Sequence, residues 1–185
     1  MEVTLPRYFV RRAASWAQPH STMIVIDPTI QVRFGRAVRR RTLAAFVTEA
    51  AKAAGLEGEV SVLLTSDQHI RTLNREFRRK DRPTDVLSFP AAESLNGHRH
   101  LAGDIAISVE TAAKQAEEYN HPLPTELQIL LLHGLLHLGG YDHQTDTGRM
   151  AREEAALRRR FGLTQGLIER STKPAREKAR RSRKP

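Results

Sequence analysis

The chain has no cysteine. That excludes disulfides and any thiolate metal site, so a metal would have to be held by His, Asp or Glu. Long hydrophobic runs are missing too. The greasiest stretch, residues 127–138, is interrupted by Gln128, His133, Gly134 and His137, and it falls short of the roughly 20 apolar residues that span a bilayer. No secretory signal is expected, because the first 22 residues set arginine, serine and alanine around one glutamate without an apolar centre. Aromatic residues make up 5% of the chain, with Phe46, Phe77 and Phe89 at core-like positions. That argues against a broad platform for stacking bases, and Tyr8 and Trp16 in the head are weak candidates for it. No internal repeat is visible.

Acidic residues are scarce only at the ends. The net charge is +9, yet residues 170–185 hold eight Lys/Arg against one Glu, and residues 1–22 hold three Arg against one Glu. Residues 23–169 carry 19 basic and 19 acidic side chains and are neutral. The pI of 10.6 therefore says little about the folded part. A length of 185 residues suits one domain with a real core. The expected division is an unstructured N-terminal extension over 1–22, one domain over 23–169, and a basic disordered tail over 170–185 with weak, non-specific affinity for RNA.

Met23–Asp27 is β-branched, ends at Pro28 and reads as a strand. Arg36–Ala54 carries Phe46, Val47, Ala50 and Ala54 at helical spacing and stops at Gly55, so it reads as a helix. Glu59–Leu64 reads as a strand. Ser66 reads as the N-cap of a helix through Phe77, with Ile70, Leu73 and Phe77 on one face. Thr84–Phe89 reads as a strand closed by Pro90, Asn96-Gly97 as a turn, and Gly103–Val109 as another strand. Thr111–Tyr119 reads as a helix. Pro124 or Thr125 opens the helix that carries His133 and His137, and Gly139-Gly140 ends it. Thr145 is the expected cap of a last helix through about Phe161. This order predicts a single α+β domain, a small mixed β-sheet flanked by helices, with a hairpin in its middle.

The stretch HGLLHLGGYDH, residues 133–143, concentrates the chemistry. His133 and His137 share one helical face, with Cβ atoms about 5–6 Å apart. The glycine pair can turn the chain back sharply and bring His143 to the same point. Three imidazoles leave a fourth tetrahedral position open, the mark of a catalytic zinc site; they would also take nickel or copper. A lone histidine on an apolar face is ordinarily a core residue, but three at this spacing around a glycine turn favour metal. A structural zinc would need a fourth protein ligand, for which Asp142 or Asp146 is available. Metzincin proteases share the spacing, but there a Glu general base follows the first histidine. Here that residue is Gly134, which takes no proton, so proteolysis by that route is disfavoured. Zinc on three imidazoles acidifies water to a pKa of ~7 without such a base. The remaining need is a group that stabilises negative charge on the substrate, which arginine does for phosphates.

Residues 71–82 contain Arg71, Arg75, Arg78, Arg79, Lys80 and Arg82 against Glu76 and Asp81. Composition leaves two readings equally open: a solvated helix end favoured by the helix dipole, or a loop that grips a phosphate backbone. His69, His98, His100 and His121 read as ordinary helix or loop histidines.

Three pieces together resemble the YbeY family of bacterial endoribonucleases. They are His133-Gly134-x-Leu136-His137-Leu138-x-Gly140-Tyr141-Asp142-His143, the segment Arg78-x-Lys80-Asp81-x-Pro83-Thr84-Asp85-Val86-Leu87-Ser88-Phe89-Pro90, and Gly103-Asp104-Ile105. The resemblance covers residues 23–162 and leaves out the head and the tail. It implies a zinc-dependent, single-strand-specific endoribonuclease that acts in ribosomal RNA maturation, at the 3′ end of the small-subunit RNA, and in ribosome quality control. It implies one zinc held by His133, His137 and His143, and a role in activity for Arg78. It also implies single-stranded and ribosomal RNA and the ribosome or its small-subunit proteins as partners, with the cytoplasm as the place of action. No residue is an obvious general base; Asp85 and Asp142 are candidates, with turn capping and support of a zinc histidine as their plainer roles. Two rival readings use the same residues: a ribosome assembly or binding factor whose zinc is structural, and a metallohydrolase with another substrate.

Overall fold

Strand β1 (Thr22–Ile26) runs directly into helix α1 (Pro28–Phe34). The structure is a computed structural model and describes residues 22–91, 101–142, 145–163 and 167. Residues 1–21 of the expected extension, the Asn96-Gly97 turn with His98 and His100, and the tail 170–185 lie outside the described residues. Helix α1 was not expected from the sequence. Pro28 ends the strand and also opens the helix, because the first helical position needs no N–H, and the Asp27 carboxylate caps it by accepting from the Thr29 N–H at 2.9 Å. Helix α2 (Arg40–Ala53) consequently starts four residues later than its Ala-rich pattern implies.

Strand β2 (Glu59–Thr65) leads into α3 (Asp67–Arg78), where the Ser66 hydroxyl accepts from the His69 N–H as expected. Strands β3 (Val86–Pro90) and β4 (Leu101–Ser108) follow. Helix α4 (Val109–Glu118) begins two residues earlier than its pattern suggests, because Ser108 caps it through the Thr111 N–H. Helix α5 is Leu123–Leu138 and α6 is Arg149–Phe161. Thr145 is not the cap of α6. The chain enters through Gly148 at φ 81°, and the Asp146 carboxylate accepts from the Gly148 and Met150 N–H groups, each at 2.8 Å.

The strands form one four-stranded sheet in the order β1-β2-β4-β3. The pairs β1–β2 and β2–β4 are parallel, and β3 is antiparallel to β4, so the sheet is mixed and the fold α+β as expected. Alternation divides its faces. Val62, Leu64, Ile105 and Ile107 point into the main core with α2 and α5, while Leu63, Leu87 and Ala106 pack with Ile70 and Leu73 of α3. Phe46, Phe77 and Phe89 belong to or pack against the core: Phe46 meets Phe161, and Phe77 meets Phe89, each pair edge to face.

Helix α5 carries buried apolar residues on every side of its middle turns, as a helix enclosed by its own domain must. Leu127, Ile129, Leu130, Leu131, Leu132, Leu135 and Leu136 are fully buried. It lies against β3 and β4, with α2, α4 and α6 around it. Gly134 permits that contact. A Cβ there would stand 3.1 Å from both Ile105 Cδ1 and Ser88 Oγ, tighter than ordinary packing, and the Ser88 hydroxyl donates to the Gly134 carbonyl at 3.3 Å. The glycine after the first histidine is thus where the helix touches the sheet.

Candidate functional site

Between the end of α5 and the loop after α3 lies a groove of about 490 Å³. His133 and His137 line it from α5, Arg78, Lys80 and Arg82 from the basic segment, Asp85 from just before β3 and Val86 to Ser88 from its start. The two constellations singled out in the sequence, 50 residues apart in the chain, therefore share one concavity.

Helix α5 sets the two imidazoles one turn apart. Their rings meet edge to face with centroids 4.7 Å apart, and their Nε2 atoms are 3.1 Å apart. Two nitrogens bound to one tetrahedral zinc, each about 2.0–2.1 Å from it, would stand about 3.3 Å apart. The pair fits a shared ion. The Nδ1 of His133 points the other way, 3.0 Å from Glu154 Oε1 of α6, and both side chains are buried. The third expected ligand, His143, lies outside the described residues. Among the described residues no group of three His, Asp or Glu side chains stands close enough to hold a metal. The turn leading towards His143 is formed, but by one glycine of the pair: Gly140 takes φ 80°, a left-handed value that side chains resist, while Gly139 stays at φ −76°.

The basic segment divides into two sets. Arg71 donates two bonds of 2.9 Å to Asp81, and Arg75 stands 3.7 Å from the same carboxylate. This ion pair is exposed, and the Arg71 hydrogen bonds hold the Asp81 carboxyl below its ordinary value. These two arginines follow the solvated-surface reading. Arg78, Lys80 and Arg82 instead line the groove. The division comes from the end of α3, where Arg79 takes the left-handed φ of 56°. The reversed chain is pinned by buried Asn74, whose carbonyl accepts from the Lys80 N–H and whose amide donates to the Arg82 carbonyl at 2.8 Å. Arg78 reaches across to the Ser88 carbonyl of β3 at 3.5 Å.

Neither candidate base stands apart from the local scaffold. Asp85 accepts from the Val86 N–H at 2.8 Å, from Thr84 at 3.1 Å and from Gln115 of α4 at 2.9 Å. Asp142 lines the groove and accepts from the Thr145 hydroxyl at 3.1 Å. Tyr141 lines the groove beside it, with the Arg149 guanidinium over its ring at 4.8 Å.

Two acids escaped the reading of the sequence. Glu154 is one; its signal was a carboxylate on the apolar face of α6, between Met150 and Leu157. Glu126 is the other. It is buried in the first turn of α5, and His121, read as an ordinary loop histidine, stands 2.9 Å from it with its own side chain buried. Among the described residues no helix is long and apolar enough to cross a membrane.

The family model described as endoribonuclease YbeY matches residues 29–162. A protein of that name from Koribacter versatilis is 51% identical over 147 residues, which cover 80% of this chain and 93% of the relative. Its namesake in Solibacter usitatus is 45% identical over 142 residues, covering 75% of this chain and 92% of the relative. A Thermotoga maritima protein solved in solution superposes with a TM-score of 0.52 at 28% identity, over 76% of this chain and 89% of that one.

Proposed function

The chain belongs to the endoribonuclease YbeY family, and from that premise we propose that it cleaves single-stranded RNA in ribosomal RNA maturation, with one zinc ion at its centre. The substrate would include the 3′ end of the small-subunit RNA, and the same activity would serve ribosome quality control beside the small subunit in the cytoplasm. The observation that carries the reading is a single juxtaposition: two imidazole Nε2 atoms 3.1 Å apart at a groove that Arg78, Lys80 and Arg82 also line.

His133, His137 and His143 would hold the metal, the first two through Nε2. A zinc ion held there would supply Lewis acidity towards water and phosphate. The protein's own residues do the rest. Arg78, at the end of α3, turns its planar guanidinium towards the groove, where it meets phosphate oxygens as their charge grows. Lys80 and Arg82 hold the flanking backbone. Gly134 in place of a glutamate keeps a carboxylate away from the phosphodiester. Asp85 holds the entry of β3 and shapes the wall that carries Ser88.

The test is zinc content, melting temperature and cleavage of a single-stranded RNA for the wild type, Arg78→Ala and His137→Ala. Arg78→Ala should keep its zinc and melting temperature and lose cleavage by about 10²–10³-fold, as when one charge-stabilising donor is removed. His137→Ala should lose zinc and cleavage together. If Arg78→Ala cuts like wild type, the role given to Arg78 is wrong. If zinc-loaded wild type never cuts, the protein is better read as a ribosome-binding factor with a structural metal.

A further inference from the structure

Helix α6 is amphipathic, with Met150, Glu154 and Leu157 on its buried side at 0%, 2% and 4% exposure. A carboxylate between two core hydrophobes is costly to bury unless something pairs with it. Glu154 is paired: its Oε1 meets His133 Nδ1 at 3.0 Å. The other nitrogen of the same ring is the one that faces His137. An imidazole that donates from Nδ1 leaves its lone pair on Nε2, so this contact chooses both the tautomer and the ring angle. We infer that Glu154 is the positioning residue of the metal centre, holding His133 from behind so that Nε2 is presented to the ion. The inference rests on the reading of His133 and His137 as metal ligands.

The geometry explains why α6 matters to a groove it does not line. Its start is fastened by the Asp146 carboxylate on the Gly148 and Met150 N–H groups. Its apolar side packs on α5, the helix that carries both imidazoles. Glu154 is thus delivered by a rigid element rather than a loop. A carboxylate behind a metal-bound histidine also raises the basicity of the ligating nitrogen, and its loss typically weakens metal binding 10–100-fold.

The experiment is zinc affinity by chelator competition, with the visible absorption of the cobalt-substituted protein, on wild type, Glu154→Gln and Glu154→Asp. Melting of the metal-stripped forms is followed in parallel. Glu154→Gln keeps the shape and an accepting oxygen but removes the charge, and zinc should bind about 10-fold more weakly. Glu154→Asp keeps the charge but withdraws it by one methylene, and should weaken zinc binding as well. The cobalt spectrum should shift in both. A merely structural residue would lower the melting temperature of the stripped protein and leave the affinity and the spectrum of the folded protein alone. Wild-type zinc affinity and an unchanged cobalt spectrum in whichever variants fold would overturn the inference. A wild type that takes up no zinc overturns the metal reading itself, and the two failures are distinct.

Discussion

Lys80 and Arg71 carry the same charge in the same short segment, yet the structure gives them different work. Lys80 lines the groove, whereas Arg71 donates from Nε and from one terminal nitrogen to the two carboxylate oxygens of Asp81. A lysine that neutralises a phosphate of single-stranded RNA releases about 0.7 of a counterion. Binding of RNA to chelator-treated protein, measured across a salt series, should therefore lose about 0.7 from its log–log slope in Lys80→Ala. Arg71→Ala should keep the wild-type slope; equal slopes in all three proteins would show that the groove does not track the backbone. At this scale the sequence was half legible. The spacing of His133 and His137 names the pair because helix geometry is regular. Whether a given arginine faces a groove or a neighbouring aspartate depends on Arg79 reversing the chain, and nothing in the composition of residues 71–82 records that reversal.

Among the elements, α5 is the one on which fold and chemistry coincide. Gly134 lies where it touches Ser88 and Ile105. Gly134→Glu, which would restore the pattern of a metalloprotease base, should instead force the helix off the sheet, and far-UV circular dichroism with a melting curve should show loss of the cooperative fold. Gly134→Ala asks only for a few tenths of an ångström from the Ser88 and Ile105 side chains, and helix propensity returns about 1 kcal/mol, so it should fold. A soluble, cooperatively folded Gly134→Glu protein would mean that the packing of α5 on the sheet is looser than described. The strands and α3 were legible because alternation and a serine cap are local signals. Helix α1 was not, because Pro28 is both a strand stop and a helix start. The start of α6 was misplaced for a similar reason: Asp146 and Thr145 are both capping types, and only the left-handed Gly148 decides between them.

For the molecule as a whole, a polar junction ties the helices to the ends of the strands. Asp67 accepts from Ser108, from Thr111 at 2.7 Å and from Lys114 at 2.9 Å, while Glu110 of α4 accepts from the Asp67 N–H and from Arg33 of α1. Burial pushes the Asp67 carboxyl up, and the bonds from Ser108, Thr111 and Lys114 outweigh it and hold the group below its ordinary value of 3.8. A lowered carboxyl contributes its stability above the unfolded value and loses it as pH falls through the folded one. The difference in stability between wild type and Asp67→Asn should therefore be full at neutral pH and shrink once pH drops below about 3.8. Denaturant titrations at neutral and acid pH measure it, and a pH-independent difference would remove Asp67 from the account. A different consequence follows from β3, the outermost strand of the sheet on the groove side. An uncovered strand edge invites pairing with another chain, and proteins blunt such edges with lysine and arginine. Arg78, which donates to the Ser88 carbonyl of that strand, is among the cations proposed for the RNA backbone, so the feature that would admit a nucleic acid would also turn away a second protein strand, and solubility and substrate affinity would be tuned by the same side chains.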